Sequence, residues 1–301
     1  MHTHAHSHAH AHHDHAAGVG ANADGRKRVA IAAILTFSFM IAEIVGGLIS
    51  GSLALLADAA HMLTDAGSLA LAWIGFKLAE RPADATRSFG WTRFKVLAAF
   101  VNGLALLALA VWISIEAVFR LLDPVPVMGN LLLIVACAGL LVNLAAFRIL
   151  HGGDHDDLNM RAALWHVAGD LLGSVAAIGA ALVIIWTGWM PIDPILSVLV
   201  AVIIAIGGVR IVKSTAHILI EGVPPGLSVE EIQADLKSAL PDAEDVDHIH
   251  AWALNETKTL ITLDVVAKPG ACTESLRLEV KRRLKEKFDI GHATVEIRTS
   301  T

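Results

Sequence analysis

The chain has 301 residues, 55% of them hydrophobic and only 17% charged, with a mean hydropathy of +0.60 and a formal net charge of −6. Soluble domains carry about 25% charged residues, so the composition argues against an ordinary water-soluble enzyme, and without a basic domain nucleic-acid binding has no electrostatic footprint. Two cysteines, Cys137 and Cys272, are too few for a disulfide framework or a four-cysteine zinc site.

Residues 1–25 hold eight of the sixteen histidines, all within the first fifteen positions, among alanine and glycine. Such a segment has too little apolar surface to offset chain entropy and is expected to be a disordered tail. Imidazoles at this density bind divalent metals, Zn²⁺, Ni²⁺ and Co²⁺ among them.

Six apolar stretches follow: Val29–Ser50, Leu53–Leu78, Phe94–Leu122, Met128–Leu150, Asn159–Thr187 and Ile192–His217. Each is about 20 residues or longer, enough to cross ~30 Å of hydrocarbon as a helix. Basic residues alternate between the connections. Arg26, Lys27 and Arg28 precede the first stretch, Lys77, Arg81, Arg87, Arg93 and Lys95 lie between the second and third, and Arg148 and Arg161 flank the fourth connection. Arg210 and Lys213 close the sixth, whereas the connections at Gly51, Asp123–Met128 and Gly188–Asp193 contain no Lys or Arg. By the positive-inside rule both termini are expected in the cytoplasm, with the chain multi-pass in a bacterial inner membrane. Arg120, near the outer end of the third stretch, is the exception.

From Pro224 the composition turns soluble, with 14 acidic and 10 basic residues in the last 78 positions. Ser228 followed by Glu231 is a capping box opening a helix to Ala239. Val246–Leu254 and Thr257–Ala267 read as strands about an Asn255-Glu256 turn, Thr273–Phe288 as a helix and Ala293–Thr299 as a last strand. The expected organisation is a tail over 1–25, a six-helix transmembrane domain over 26–222, and a small α+β domain over 223–301, which wants a partner to complete its limited core.

The chemistry lies in two of the apolar stretches. The second contains Asp58, His61 and Asp65; the fifth contains His166 and Asp170. Residues four apart share a helix face, so each His-x-x-x-Asp pair presents an imidazole and a carboxylate together. An ionisable residue at the centre of a membrane helix costs about 2.5–3.5 kcal/mol on insertion scales, and two spans accept that cost in the same pattern. The spans run in opposite directions, so His61, Asp65, His166 and Asp170 can converge as two nitrogens and two oxygens, the donor set of tetrahedral Zn²⁺. Asp58 shares the face of His61 and suits a supporting or proton-relay role. Glu43, Asn102, Glu116 and Asn143 are explained by interhelical hydrogen bonding. His151, His155 and Asp157, in the connection between the fourth and fifth stretches, are expected to capture metal, and His248 and His250 are further candidate ligands.

At these residues the chain resembles the cation diffusion facilitator family. The resemblance runs from Arg26 to the C-terminus and includes the segment Gly51–Asp65, Phe89-Gly-Trp-Thr-Arg93, Glu116-Ala-Val-Phe-Arg120 and Glu221-Gly-Val-Pro224. It implies a homodimeric, proton-coupled exporter of divalent metals, with six membrane helices and a ferredoxin-like, metallochaperone-like cytoplasmic domain. The two-His, two-Asp site is the version the family associates with zinc. Lys95 departs from the acidic residue many members have there. Glu296 and Arg298 stand where the family's cytoplasmic binuclear zinc site expects ligands, with Asp264 a substitute at best, so that site looks eroded.

Zinc is therefore expected as transported substrate rather than prosthetic group, with export of cobalt, nickel or iron(II) through the same site as the alternative. An intramembrane metal hydrolase would need a motif such as His-Glu-x-x-His, which does not occur. A metal sensor signalling through the soluble domain is the remaining alternative.

Overall fold

The computed structural model describes residues 23–79, 81–151, 158–255 and 257–299. Six long helices come first: α1 (Ala23–Ser50), α2 (Leu53–Ala79), α3 (Phe94–Leu122), α4 (Gly129–His151), α5 (Leu158–Thr187) and α6 (Ile192–Leu219). Among the described residues, five of these contain a stretch long and apolar enough to cross a membrane. The other, α2, is also long enough at 27 residues, but Asp58, His61 and Asp65 interrupt its apolar sequence. The architecture is an α-helical membrane bundle followed by a small α+β domain.

Packing divides the chain into two units. The first comprises residues up to Ala59 together with Val118–Leu196. Within it α4 packs against both α1 and α5. Gly46 permits the α1–α4 approach, since a Cβ there would lie 2.7 Å from Val135 Cγ2. On α1 the side chains of Ile34, Phe37, Ile41, Val45 and Leu48 are exposed at helical spacing, while Phe39, Met40 and Glu43 are buried. An apolar stripe turned outward with a polar residue inside suits a lipid solvent, because the interior alone offers hydrogen-bond partners. Where the α1–α2, α3–α4 and α5–α6 connections meet, Leu55, Val127, Leu132, Ala181 and Ile184 form a core.

The second unit comprises Ala60–Ala117 and Ser197–Thr301. Here Gly103 of α3 lies against α6, where a Cβ would come 2.9 Å from Val212 Cγ2. The soluble part then adds α7 (Val229–Ala239), β1 (Ala243–Ala253), β2 (Thr259–Ala267), α8 (Thr273–Phe288) and β3 (His292–Thr299). As the capping box requires, the Ser228 hydroxyl accepts from the Glu231 N–H at 3.1 Å. The sheet order is β1-β2-β3, with β1–β2 antiparallel and β2–β3 parallel. A parallel pair needs a crossover, and α8 supplies it. The helices bury Ile232, Leu236, Leu276, Val280 and Leu284 against Val246, Ile261, Leu263 and Val265.

The starts of the first two strands differ most from those read in the sequence. β1 begins at Ala243 rather than Val246, and its pairing with β2 carries irregularities between Ala243 and Asp245 and between Asp247 and His250. At the second of these His248 adopts φ +51°, the left-handed region that bulges tolerate. β2 begins at Thr259 because the Asn255 side chain accepts from the N–H groups of Thr257 (3.0 Å) and Lys258 (2.8 Å), widening the turn.

Candidate metal site

Asp58, His61 and Asp65 all lie on α2, where steps of three and four residues keep them on one face. His61 Nε2 stands 3.6 Å from Asp65 Oδ2, with both side chains about one-third exposed, at 29% and 30%. Two ligands each ~2.0 Å from a tetrahedral ion lie ~3.3 Å apart, so this pair is already near the spacing that one shared ion demands. The Thr64 hydroxyl turns back to the His61 carbonyl at 2.7 Å and leaves the functional face to its neighbours.

On α5 the Asp170 side chain is buried. His166 lies one turn earlier on the same helix, and its side chain falls outside the described residues. Asp58 reaches α5 directly, with its Oδ1 4.0 Å from the point a Cβ on Gly173 would occupy. Gly173 follows Asp170 by three residues, one turn along the same helix. A third helix joins here: the buried Glu43 of α1 stands beside Asp58. Interhelical hydrogen bonding is what the sequence leads one to expect of Glu43, and partners on separate helices follow no fixed spacing. Asn143 behaves the same way, its amide donating to Ser174 Oγ at 3.4 Å between α4 and α5.

Among the described residues, no group of three or more His, Cys, Asp and Glu side chains stands close enough to hold a metal. The structure thus brings His61 to Asp65 and Asp58 to α5, while the fourth expected ligand, His166, lies outside that comparison. Of the expected capture loop, His151 ends α4 with its side chain outside the described residues, as are His155, Asp157 and the histidine tail.

The cluster on the C-terminal sheet is arranged differently. His248 Nδ1 lies 3.4 Å from Asp264 Oδ2, and the His248 and His250 rings meet edge to face at 4.9 Å. Between the carboxylates sits Arg298, whose Nη2 donates to Asp247 Oδ1 at 2.6 Å and Asp264 Oδ2 at 2.8 Å. The guanidinium stands where a metal would have to bind these oxygens. Between α7 and α8, Asp235 is held well below the usual carboxylate range by hydrogen bonds from Arg283 and then Lys287.

Residues 29–220 match the cation efflux transmembrane domain, and residues 224–299 match the cation efflux protein cytoplasmic domain. The chain is 45% identical over 272 residues to a protein named zinc transporter ZitB from Pectobacterium atrosepticum, covering 90% of this chain and 85% of that one. It is 43% identical over 272 residues to zinc transporter ZitB of Escherichia coli, covering 90% and 87%. It is 36% identical over 279 residues to a Bacillus velezensis protein named cadmium, cobalt and zinc/H(+)-K(+) antiporter, covering 91% and 88%. The chain belongs to the cation efflux, or cation diffusion facilitator, family of membrane proteins.

Proposed function

We propose that the protein exports Zn²⁺ from the cytoplasm in exchange for protons, through one intramembrane site built from His61, Asp65, His166 and Asp170. The observation that carries this reading is the pair of His-x-x-x-Asp sets on α2 and α5, with Asp58 of α2 lying against α5 one turn from Asp170. Two carboxylates neutralise a divalent ion, and two imidazoles select a borderline cation such as Zn²⁺ over a hard one. The relatives named as zinc transporters support the choice of metal. The Bacillus velezensis protein, named for cadmium, cobalt and protons as well as zinc, supports proton coupling and favours cobalt and cadmium as competing cargo.

Exchange follows from the donor chemistry. Imidazole ordinarily titrates near ~6.5, and a metal can bind only its neutral form, so protons arriving from the far side displace the ion. No step requires ATP or a prosthetic group. The functional unit is a homodimer joined through the cytoplasmic domain, in the bacterial inner membrane with both termini cytoplasmic. Before transport, the N-terminal histidines and the His151–Asp157 loop raise the local metal concentration.

The test is flux into proteoliposomes under an imposed pH gradient, with Zn²⁺, Cd²⁺, Co²⁺, Ni²⁺, Mn²⁺ and Fe²⁺ in parallel. Zn²⁺ accumulation that collapses with the gradient is expected. Zinc binding without gradient-driven flux would point to a sensor instead.

A further inference from the structure

Asp193, in the first turn of α6, is fully buried. Its side chain leaves its own helix and closes the N-terminus of α2. Oδ1 accepts from the Ser52 hydroxyl at 2.5 Å and from the Ala54 N–H at 3.4 Å, and Oδ2 accepts from the Leu53 N–H at 2.8 Å. Ser52 adds its own cap, its Oγ accepting from the Leu55 N–H at 3.3 Å. The opening N–H groups of a helix have no partner within it, and Leu53, Ala54 and Leu55 are buried away from water. Left unsatisfied, each such group costs about 1–3 kcal/mol.

Arg120 completes the arrangement. It donates to the Gly51 carbonyl in the α1–α2 turn and lies near enough to Asp193 for their opposite charges to attract. The basic residue that broke the positive-inside pattern thus holds the same turn that Asp193 caps. Gly51 makes the turn with φ +72°, a conformation that disfavours other residues. The Met128 N–H, next to α4, donates to the Ser50 carbonyl at 2.9 Å. Four helices are thus tied to the turn from which α2 departs.

We propose that Asp193 is a positioning residue for transport. It tethers the N-terminus of α2 to that of α6 and makes this end the pivot about which α2 carries His61 and Asp65. At ~1.5 Å per residue, His61 lies about 12 Å along α2 from Leu53, so a small slip at the tether swings the ligands by a comparable distance. Capping alone would need only a local acceptor. An acceptor supplied from another helix also fixes the depth and rotation of α2. The inference rests on the transport reading given above.

The experiment compares wild type, Asp193→Ala, Asp193→Asn and the double variant Ser52→Asp/Asp193→Ala in full-length protein. It measures maximal Zn²⁺ flux in proteoliposomes, equilibrium Zn²⁺ binding in detergent and melting temperature. The double variant returns a carboxylate cap to α2 with no bond to α6. Asp193→Ala is expected to lose at least tenfold in maximal flux with zinc affinity changed less than threefold, because ligands on each helix still gather around an ion when turnover fails. Asp193→Asn, which keeps an acceptor for the Leu53 N–H, is expected to lose about threefold. The double variant should melt closer to wild type than Asp193→Ala while staying transport-defective. Wild-type flux in the double variant would reduce Asp193 to a cap, and unchanged flux in Asp193→Asn together with Asp193→Ala would remove it from transport altogether. Should Asp193→Ala fail to fold, the Asp193→Asn flux decides alone. Absence of flux in wild type would instead sink the transport reading.

Discussion

The membrane helices and the C-terminal sheet carry the same side-chain types, His and Asp, in different surroundings. On α2 and α5, His61, Asp65 and Asp170 lie in helices whose nearest basic residues in sequence are Lys77 and Arg161. On the sheet, Asp247 and Asp264 share Arg298, and His248 leans on Asp264 from the other side. Buried or crowded carboxylates need a positive partner. In the soluble domain that partner is covalently part of the chain and permanent. In the membrane, on our reading, it is the transported ion.

The largest effect should come from removing a membrane carboxylate. Asp65→Ala or Asp170→Ala deletes a ligand and half of the negative charge facing a divalent ion in a low-dielectric site. Each is expected to abolish flux in proteoliposomes while leaving expression and dimerisation intact.

Exchanging a nitrogen for oxygen should shift the balance rather than break it. His61→Asp gives three carboxylates and one imidazole, a harder set that suits Mn²⁺ and the larger Cd²⁺ better than the wild-type site does. Flux of Cd²⁺ or Mn²⁺ relative to Zn²⁺ is expected to rise several-fold in parallel assays, with transport retained.

If Arg298 is the resident cation, Arg298→Ala should turn His248, Asp247 and Asp264 toward metal binding. In a full-length Asp65→Ala background, calorimetry is expected to show weak zinc binding with Arg298 and at least tenfold tighter binding without it. The gain should vanish on adding His248→Ala.

How much of this was legible in the sequence depended on distance along the chain. Helix spans, the Ser228 cap and the His61–Asp65 spacing are local, and hydrophobic period and the helical repeat encode them. The link from Asp193 to Ser52 spans 141 residues, and no local pattern points to it; Asp193-Pro194 reads simply as the start of α6. Arg298 was visible as a departure, but its place over two carboxylates depends on the β1 irregularity at His248 and on the parallel β2–β3 register that sets Arg298 beside Val266. Both are products of tertiary packing.

The smallest expected effect concerns pH and the soluble domain. The Asp235 carboxylate is held below its ordinary value of 3.8 by hydrogen bonds from Arg283 (2.8 Å) and Lys287 (2.6 Å). A depressed acid contributes stability that is present above its unfolded value and lost as pH falls through the folded one. Asp235→Asn should therefore destabilise the domain by about 1 kcal/mol near neutrality, after screening at the partly exposed Arg283 and Lys287. The gap from wild type should narrow as pH drops below 3.8, when thermal melting is followed by circular dichroism.

The central claim is that the single transported ion sits between α2 and α5 and not on the cytoplasmic sheet. Equilibrium dialysis of purified full-length protein with radioactive zinc tests it most directly. High-affinity zinc should be lost in His166→Ala and in Asp170→Ala, and retained in the double variant His248→Ala/His250→Ala. Retention in both membrane variants, with loss in the cytoplasmic one, would contradict the account.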